Sequence, residues 1–201
     1  MIAPPMNLPN KLTVSRFILT IAFVGVIFSN LPFHETAAMA LFIVAGMTDY
    51  YDGKIARRDK LITNFGILMD PLVDKILVCS AFIAFVGRHW LPAWMAVIIV
   101  ARELAVTGMR LLAASRNLVL AAENMGKVKT SAQMVAIVST LVLHSYREWG
   151  EWSKFVLGFP VFGEPWVFLF TLAAQWLAVI LTLVSGITYF SRNRQLYLQD
   201  L

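Results

Sequence analysis

The sequence holds a single cysteine, Cys79, among 201 residues. An intrachain disulfide is excluded, and in its apolar run the thiol reads as a buried structural one. Histidine is nearly as scarce. His34, His89 and His144 stand far apart and fall on the side opposite the acid cluster described below. They cannot build a His/Cys site for zinc or copper there. Charge is short too: 14% of residues are Asp, Glu, Lys or Arg, against 59% hydrophobic. Soluble domains carry about a quarter charged residues, so a polytopic membrane protein is the expected class. No internal repeat and no polar stretch long enough for a soluble domain is present. A cleavable leader is not expected either. Prolines interrupt "MIAPPMNLPNKLTVSR", and "NLPFHE", not a small-residue cleavage site, follows the apolar run Phe17 to Ser29.

What is present is six apolar runs, starting near Phe17, Thr36, Ile67, Leu91, Thr130 and Trp166. A span needs about 20 residues of helix. The expectation is an all-α protein of six transmembrane helices, one domain over residues 1–201, with residues 1–15 on the membrane surface. The net charge of +5 then has a topological cause. With Lys11 and Arg16 on the cytoplasmic side, six spans bring Arg57, Arg58, Lys60, Arg110, Arg116, Lys127, Lys129, Arg192 and Arg194 to that side. Arg88, Arg147 and Lys154 fall outside. Both termini are therefore expected in the cytoplasm, and no nucleic-acid partner is needed to explain the basic excess. Trp90, Trp94, Trp149, Trp152 and Trp166 flank the outer loops, as interface anchors do.

Acid concentrates in one place, "DYYDGKIARRDKLITNFGILMDPLVDK", Asp49 to Lys75. The second apolar run is too short to cross unless its helix continues through Asp49 and Asp52. The third lengthens only by including Asp70 and Asp74. The two acidic ends therefore meet at the cytoplasmic side of antiparallel neighbours. Asp49/Asp52 and Asp70/Asp74 are spaced i, i+3 and i, i+4, so each pair shares a helix face. Ionised groups at membrane depth are costly and functional by default. Lys54, Arg57 and Lys75 offset some of that charge. Hard divalent cations, Mg²⁺, Mn²⁺ or Ca²⁺, suit a carboxylate-only set best, and two such ions form a known arrangement for displacement at phosphorus. Gly53, Gly66 and Ala56 leave room for a ligand; Arg57 offers a planar fork to phosphate. Asp59 stands off this spacing and reads as a solvated loop residue. An ion or proton path in a cation-coupled transporter is the alternative for such acids.

The spacing Asp49-x₂-Asp52-Gly53-x₂-Ala56-Arg57-x₈-Gly66-x₃-Asp70-x₃-Asp74 resembles the signature of the CDP-alcohol phosphotransferases. The resemblance implies a six-helix membrane enzyme, usually a homodimer, with a two-metal site facing the cytoplasm. It would transfer a phosphatidyl-type group from a CDP-linked donor to an alcohol, releasing CMP. It implies that Asp49, Asp52 and Asp70 bind metal, two Mg²⁺ or Mn²⁺ ions, and that Asp74 binds metal and acts as general base. Gly53, Ala56, Arg57 and Gly66, with Asp49, Asp52 and Asp70, would line the CDP site.

Two further stretches, "NLPNKLTVSR" and "GKVKTSAQM", resemble the bacterial branch of that family that forms phosphatidylglycerophosphate. CDP-diacylglycerol would then be the donor, glycerol 3-phosphate the acceptor, and the bacterial cytoplasmic membrane the location. An anionic acceptor needs a basic pocket apart from the metals, and Arg110, Lys127 and Lys129 are assigned to its phosphate. Serine, inositol phosphate and phosphatidylglycerol are the alternative acceptors. Arg102 and Glu103 lie inside the fourth run. As helix neighbours projecting in different directions they are not expected to pair, and Arg102 is placed to reach the acids or a substrate phosphate.

Overall fold

The computed structural model describes residues 8–59, 64–115 and 124–194, with side chains described outside 8–12, 49–59, 64–71, 74 and 124. Among these residues the chain is almost entirely helical. Six long helices are α1 (Leu8–Ile27), α2 (His34–Asp59), α3 (Asn64–Gly87), α4 (Ala93–Ser115), α5 (Asn124–Ser145) and α7 (Trp166–Arg192). Each of the six apolar runs falls in its own helix. At 1.5 Å per residue the shortest is about 30 Å long, the thickness of a bilayer's hydrocarbon core. By length and apolar composition α7 is long enough to cross a membrane; shorter apolar stretches lie at Thr13–Ile27 and Lys75–Gly87.

The connections 28–33 and 88–92 are short, so α1 and α2, and α3 and α4, run antiparallel. Pro32 and Pro92 sit just ahead of α2 and α4, where a missing N–H costs least. After α5 the chain makes a 3-10 turn (Tyr146–Trp149) and the seven-residue α6 (Glu151–Leu157). A two-stranded hairpin follows, β1 (Pro160–Val161) against β2 (Glu164–Pro165). Its turn residues Phe162 and Gly163 both have positive φ, 52° and 87°, as a tight hairpin requires.

Helices α1, α2 and α3 pack together, α5 lies against α2 and α7, and α4 closes on α7. The core is aromatic and aliphatic, with Phe23, Phe42, Phe82, Phe85, Ile99 and Ile137 at 1% exposure or less. Polar side chains are also inside. Thr171 donates to the Ser139 carbonyl at 3.1 Å, Gln175 to Thr140 Oγ1 at 3.1 Å, and Gln133 to Thr182 Oγ1 at 3.1 Å. These three bonds tie α5 to α7 along its length. Large apolar residues face outward instead, among them Ile18, Ile21, Val97, Leu104, Ile180 and Ile187, each more than half exposed. Polar ties between helices inside and a broad apolar rim outside depart from the usual soluble pattern, although the core is apolar too.

Several local readings need correction. Asp59 is the last residue of α2, because the helix runs on past the acids. Cys79 is half-buried, on a partly open face of α3. Arg16 is enclosed at 1% exposure within the bundle, not simply a marker at its edge. Residues 8–15 belong to α1, while 1–7, Lys60 and Arg116 lie outside the described residues.

Candidate active site

Helices α2 and α3 carry the acid motif. Asp49, Asp52, Gly53, Ala56 and Arg57 lie on the C-terminal part of α2, and Gly66, Asp70 and Asp74 on the N-terminal part of α3. The backbone is helical through both segments, so each aspartate pair is one turn apart. The side chains of all eight residues lie outside the described set. The two segments supply these four carboxylates and hold no His or Cys. That composition fits a hard divalent cation and no softer metal.

Beside this end of α3 is a cavity of about 450 Å³ between α3, α4 and α5. Lys75, Arg102, Glu103, Arg110, Lys127 and Lys129 line it, with Gly126, Thr130 and Ser131. Arg110, Lys127 and Lys129, picked out separately in the sequence, are thus brought to one cavity. Five of its six charged residues are basic. Lys75 follows Asp74 directly, so the cavity adjoins the acid-bearing turn of α3.

The basic groups are not equivalent. Arg110 is exposed, its guanidinium 5.8 Å from the centre of the Tyr189 ring on α7, close enough for cation–π attraction. Lys127, one turn from the start of α5, is exposed. Lys129 is 2% exposed and donates its ammonium to Glu103 Oε1, itself on a residue 4% exposed. Gln133 donates to the same oxygen at 3.3 Å. Arg102 Nη1 lies 3.5 Å from it, so the two helix neighbours do pair. Their long side chains converge although their Cα–Cβ bonds diverge, because Glu103 is drawn inward by Lys129. Sequence reasoning placed Glu103 inside the fourth run but gave it no partner and no role. A lone acid inside an apolar run, "IIVARELAV", was the available signal.

A second cavity, about 610 Å³, lies at the opposite end of the bundle and includes Glu35, His89, His144, Arg147, Glu148 and Glu164 in its lining. Glu35 and Glu148 are tied to residues around it. Arg88 bridges His34 Nε2 at 3.2 Å and Glu35 at 3.4 Å. Glu148 accepts from the Thr36 N–H at 3.1 Å and from the Thr36 hydroxyl. Trp90 stacks on His144 at 3.8 Å, so it serves packing here as well as the interface. Burial and the neighbouring Glu148 hold the Glu35 carboxyl above its ordinary range despite Arg88. His89 and His144 line this cavity, and His34 lies at the same end, bonded to Arg88. This end is a structural clasp; the basic cavity is the candidate site.

Known proteins resemble this chain over almost its full length. The family model for CDP-alcohol phosphatidyltransferase matches residues 6–184. The CDP-diacylglycerol–glycerol-3-phosphate 3-phosphatidyltransferase of Bacillus subtilis is 41% identical over 199 residues, 93% of this chain and 95% of the relative. The enzyme of the same name from Rickettsia bellii is 31% identical over 95% of this chain and 97% of its own. A probable phosphatidylglycerophosphate synthase of Mycobacterium tuberculosis is 35% identical over 92% of this chain and 81% of its own.

Proposed function

The chain belongs to the CDP-alcohol phosphatidyltransferase family, and from that premise we propose that it transfers the phosphatidyl group of CDP-diacylglycerol to glycerol 3-phosphate. The products are phosphatidylglycerophosphate and CMP. The observation that carries the acceptor is the cavity beside Asp74, where, among the described residues, five basic side chains face one acidic one. Such an excess suits a dianionic phosphate and is superfluous for a neutral or zwitterionic alcohol.

The chemistry follows from the residues. The acceptor hydroxyl bonds to the phosphorus that carries the diacylglycerol. The bond from that phosphorus to the pyrophosphate bridging oxygen breaks, and CMP leaves with the electron pair. Asp74 takes the hydroxyl proton, as a carboxylate beside the reacting oxygen can. Arg57 offsets charge on the departing phosphate. Arg110, Lys127 and Lys129 hold the acceptor's own phosphate. Asp49, Asp52, Asp70 and Asp74 would hold the divalent ions on which the family generally depends. Two such ions, Mg²⁺ or Mn²⁺, would supply positive charge at the pyrophosphate oxygens. Gly53, Ala56 and Gly66 leave space for the cytidine diphosphate.

The six long helices serve as spans in a bacterial cytoplasmic membrane, with both termini and the cavity on the cytoplasmic side. The apolar rim, the buried polar ties and the sorting of Lys and Arg support this placement. The site then lies where lipid-linked donor and water-soluble acceptor meet. A homodimer is part of the proposal, by resemblance to the family.

The test is substrate choice. Purified protein with CDP-diacylglycerol and Mg²⁺ should release CMP with glycerol 3-phosphate, and far less with serine, inositol phosphate or phosphatidylglycerol. CMP release only with one of the other alcohols would remove the acceptor assignment. None with any alcohol would favour the transporter alternative.

A further inference from the structure

We propose that Glu103 is a positioning residue of the acceptor cavity: its carboxylate fixes the Lys129 ammonium at the cavity wall, where that ammonium meets the acceptor's phosphate. This rests on the proposed function and adds to it a residue that the acid motif and the basic stretch do not contain.

Three observations carry it. First, Glu103, Lys129, Gln133 and Thr182 are all 4% exposed or less, yet Glu103 and Lys129 also line the cavity. Second, Glu103 Oε1 is a shared acceptor. Lys129 Nζ and Gln133 Nε2 donate to it, the latter at 3.3 Å, and Arg102 Nη1 lies at 3.5 Å. Gln133 also donates to Thr182 on α7 at 3.1 Å, so the carboxylate is braced by three helices. Third, the charges around it do not balance. Among the described residues lining the cavity, Glu103 is the one acid facing five bases.

A purely structural ion pair neutralises its charges; among the described lining residues a positive excess remains for an anion. A lysine ammonium has three donors on a flexible stem. Glu103 takes one donor and sets the stem's direction, leaving the others for phosphate oxygens. On the other side it steadies Arg102, whose Nε has no hydrogen-bond partner among the described residues. Without the carboxylate, a buried and uncompensated ammonium withdraws from that seat.

The test is steady-state kinetics on Glu103→Gln, which keeps shape and removes charge. The KM for glycerol 3-phosphate should rise about tenfold or more, with the KM for CDP-diacylglycerol little changed. In a Lys129→Gln background the same change should add little, since the two act as a unit. The swapped double variant, Glu103→Lys with Lys129→Glu, rebuilds an ion pair. It should recover thermal stability but not the acceptor KM, and it serves as the test if Glu103→Gln fails to fold. An unchanged acceptor KM in Glu103→Gln, equal shifts for both substrates, or a wild-type KM in the swapped variant would overturn the proposal. If the wild-type protein releases no CMP with glycerol 3-phosphate, the functional reading fails first. If the wild type is active and Glu103→Gln leaves its KM alone, this inference fails by itself.

Discussion

Lys75 on α3 and Arg110 on α4 line the same cavity, and Lys75 directly follows Asp74. The basic chamber and the acid-bearing turn are therefore neighbours along one helix. Under the proposed function, an acceptor whose phosphate is held in the chamber is tethered within reach of that turn. Orientation of this kind lowers a barrier without any new chemistry.

Asp74→Asn should cost turnover while sparing binding. The amide cannot accept the hydroxyl proton, and general-base loss costs about 10²–10⁴-fold. CMP release should fall by that order, while binding of CDP, read by titration calorimetry, persists at weakened affinity. Full activity in this variant would remove Asp74 as the base.

Arg110→Ala should act on the acceptor alone. A hydrogen bond to a charged group contributes about 1.5–3 kcal/mol, so the KM for glycerol 3-phosphate should rise by about tenfold or more. The KM for CDP-diacylglycerol should stay near the wild-type value. Loss of the contact with Tyr189 adds only a small stability change, because the Arg110 side chain is exposed.

Gly186 on α7 packs against Arg102, which lines the basic cavity. A Cβ there would meet Arg102 Cγ at 3.1 Å, tighter than ordinary contact. Gly186→Leu should push Arg102 from Glu103 and raise the acceptor KM severalfold, whereas Gly25→Leu, where nothing lies within 4 Å, should not. Equal effects of the two would dissociate Arg102 from the acceptor.

At the opposite end, Glu35 gives a pH signature. In the folded protein its carboxyl is held above the ordinary range, chiefly by burial and then by Glu148. A raised acid favours the folded state while protonated. Its contribution is full below about 4.5 and is lost as pH rises through the folded value. Glu35→Gln should therefore raise the melting temperature at pH 7, with the gain vanishing toward pH 4. A gain that persists at pH 4 would contradict this cause.

Much of the fold was legible because span length is a physical requirement. The second and third apolar runs could reach helix length only through the aspartates, and α2 and α3 do run through them. Arg110, Lys127 and Lys129 were legible as basic residues on one side, and they line one cavity. Glu103 was not. Its meaning depends on Lys129, which is 26 residues away and on another helix, and no periodicity links the two. The Arg102–Glu103 pair was missed for a related reason: backbone direction alone ignores how far long side chains swing toward a shared partner. The contacts of His34 with Arg88 and of His144 with Trp90 likewise needed the tertiary arrangement.

The most direct test is CMP release by the purified protein from CDP-diacylglycerol, with and without glycerol 3-phosphate and divalent metal. CMP should appear only with both, stop on chelation, and return with Mg²⁺ or Mn²⁺, alongside stoichiometric phosphatidylglycerophosphate. No CMP under these conditions, or undiminished release after complete chelation, would contradict a carboxylate-held metal site serving an anionic acceptor.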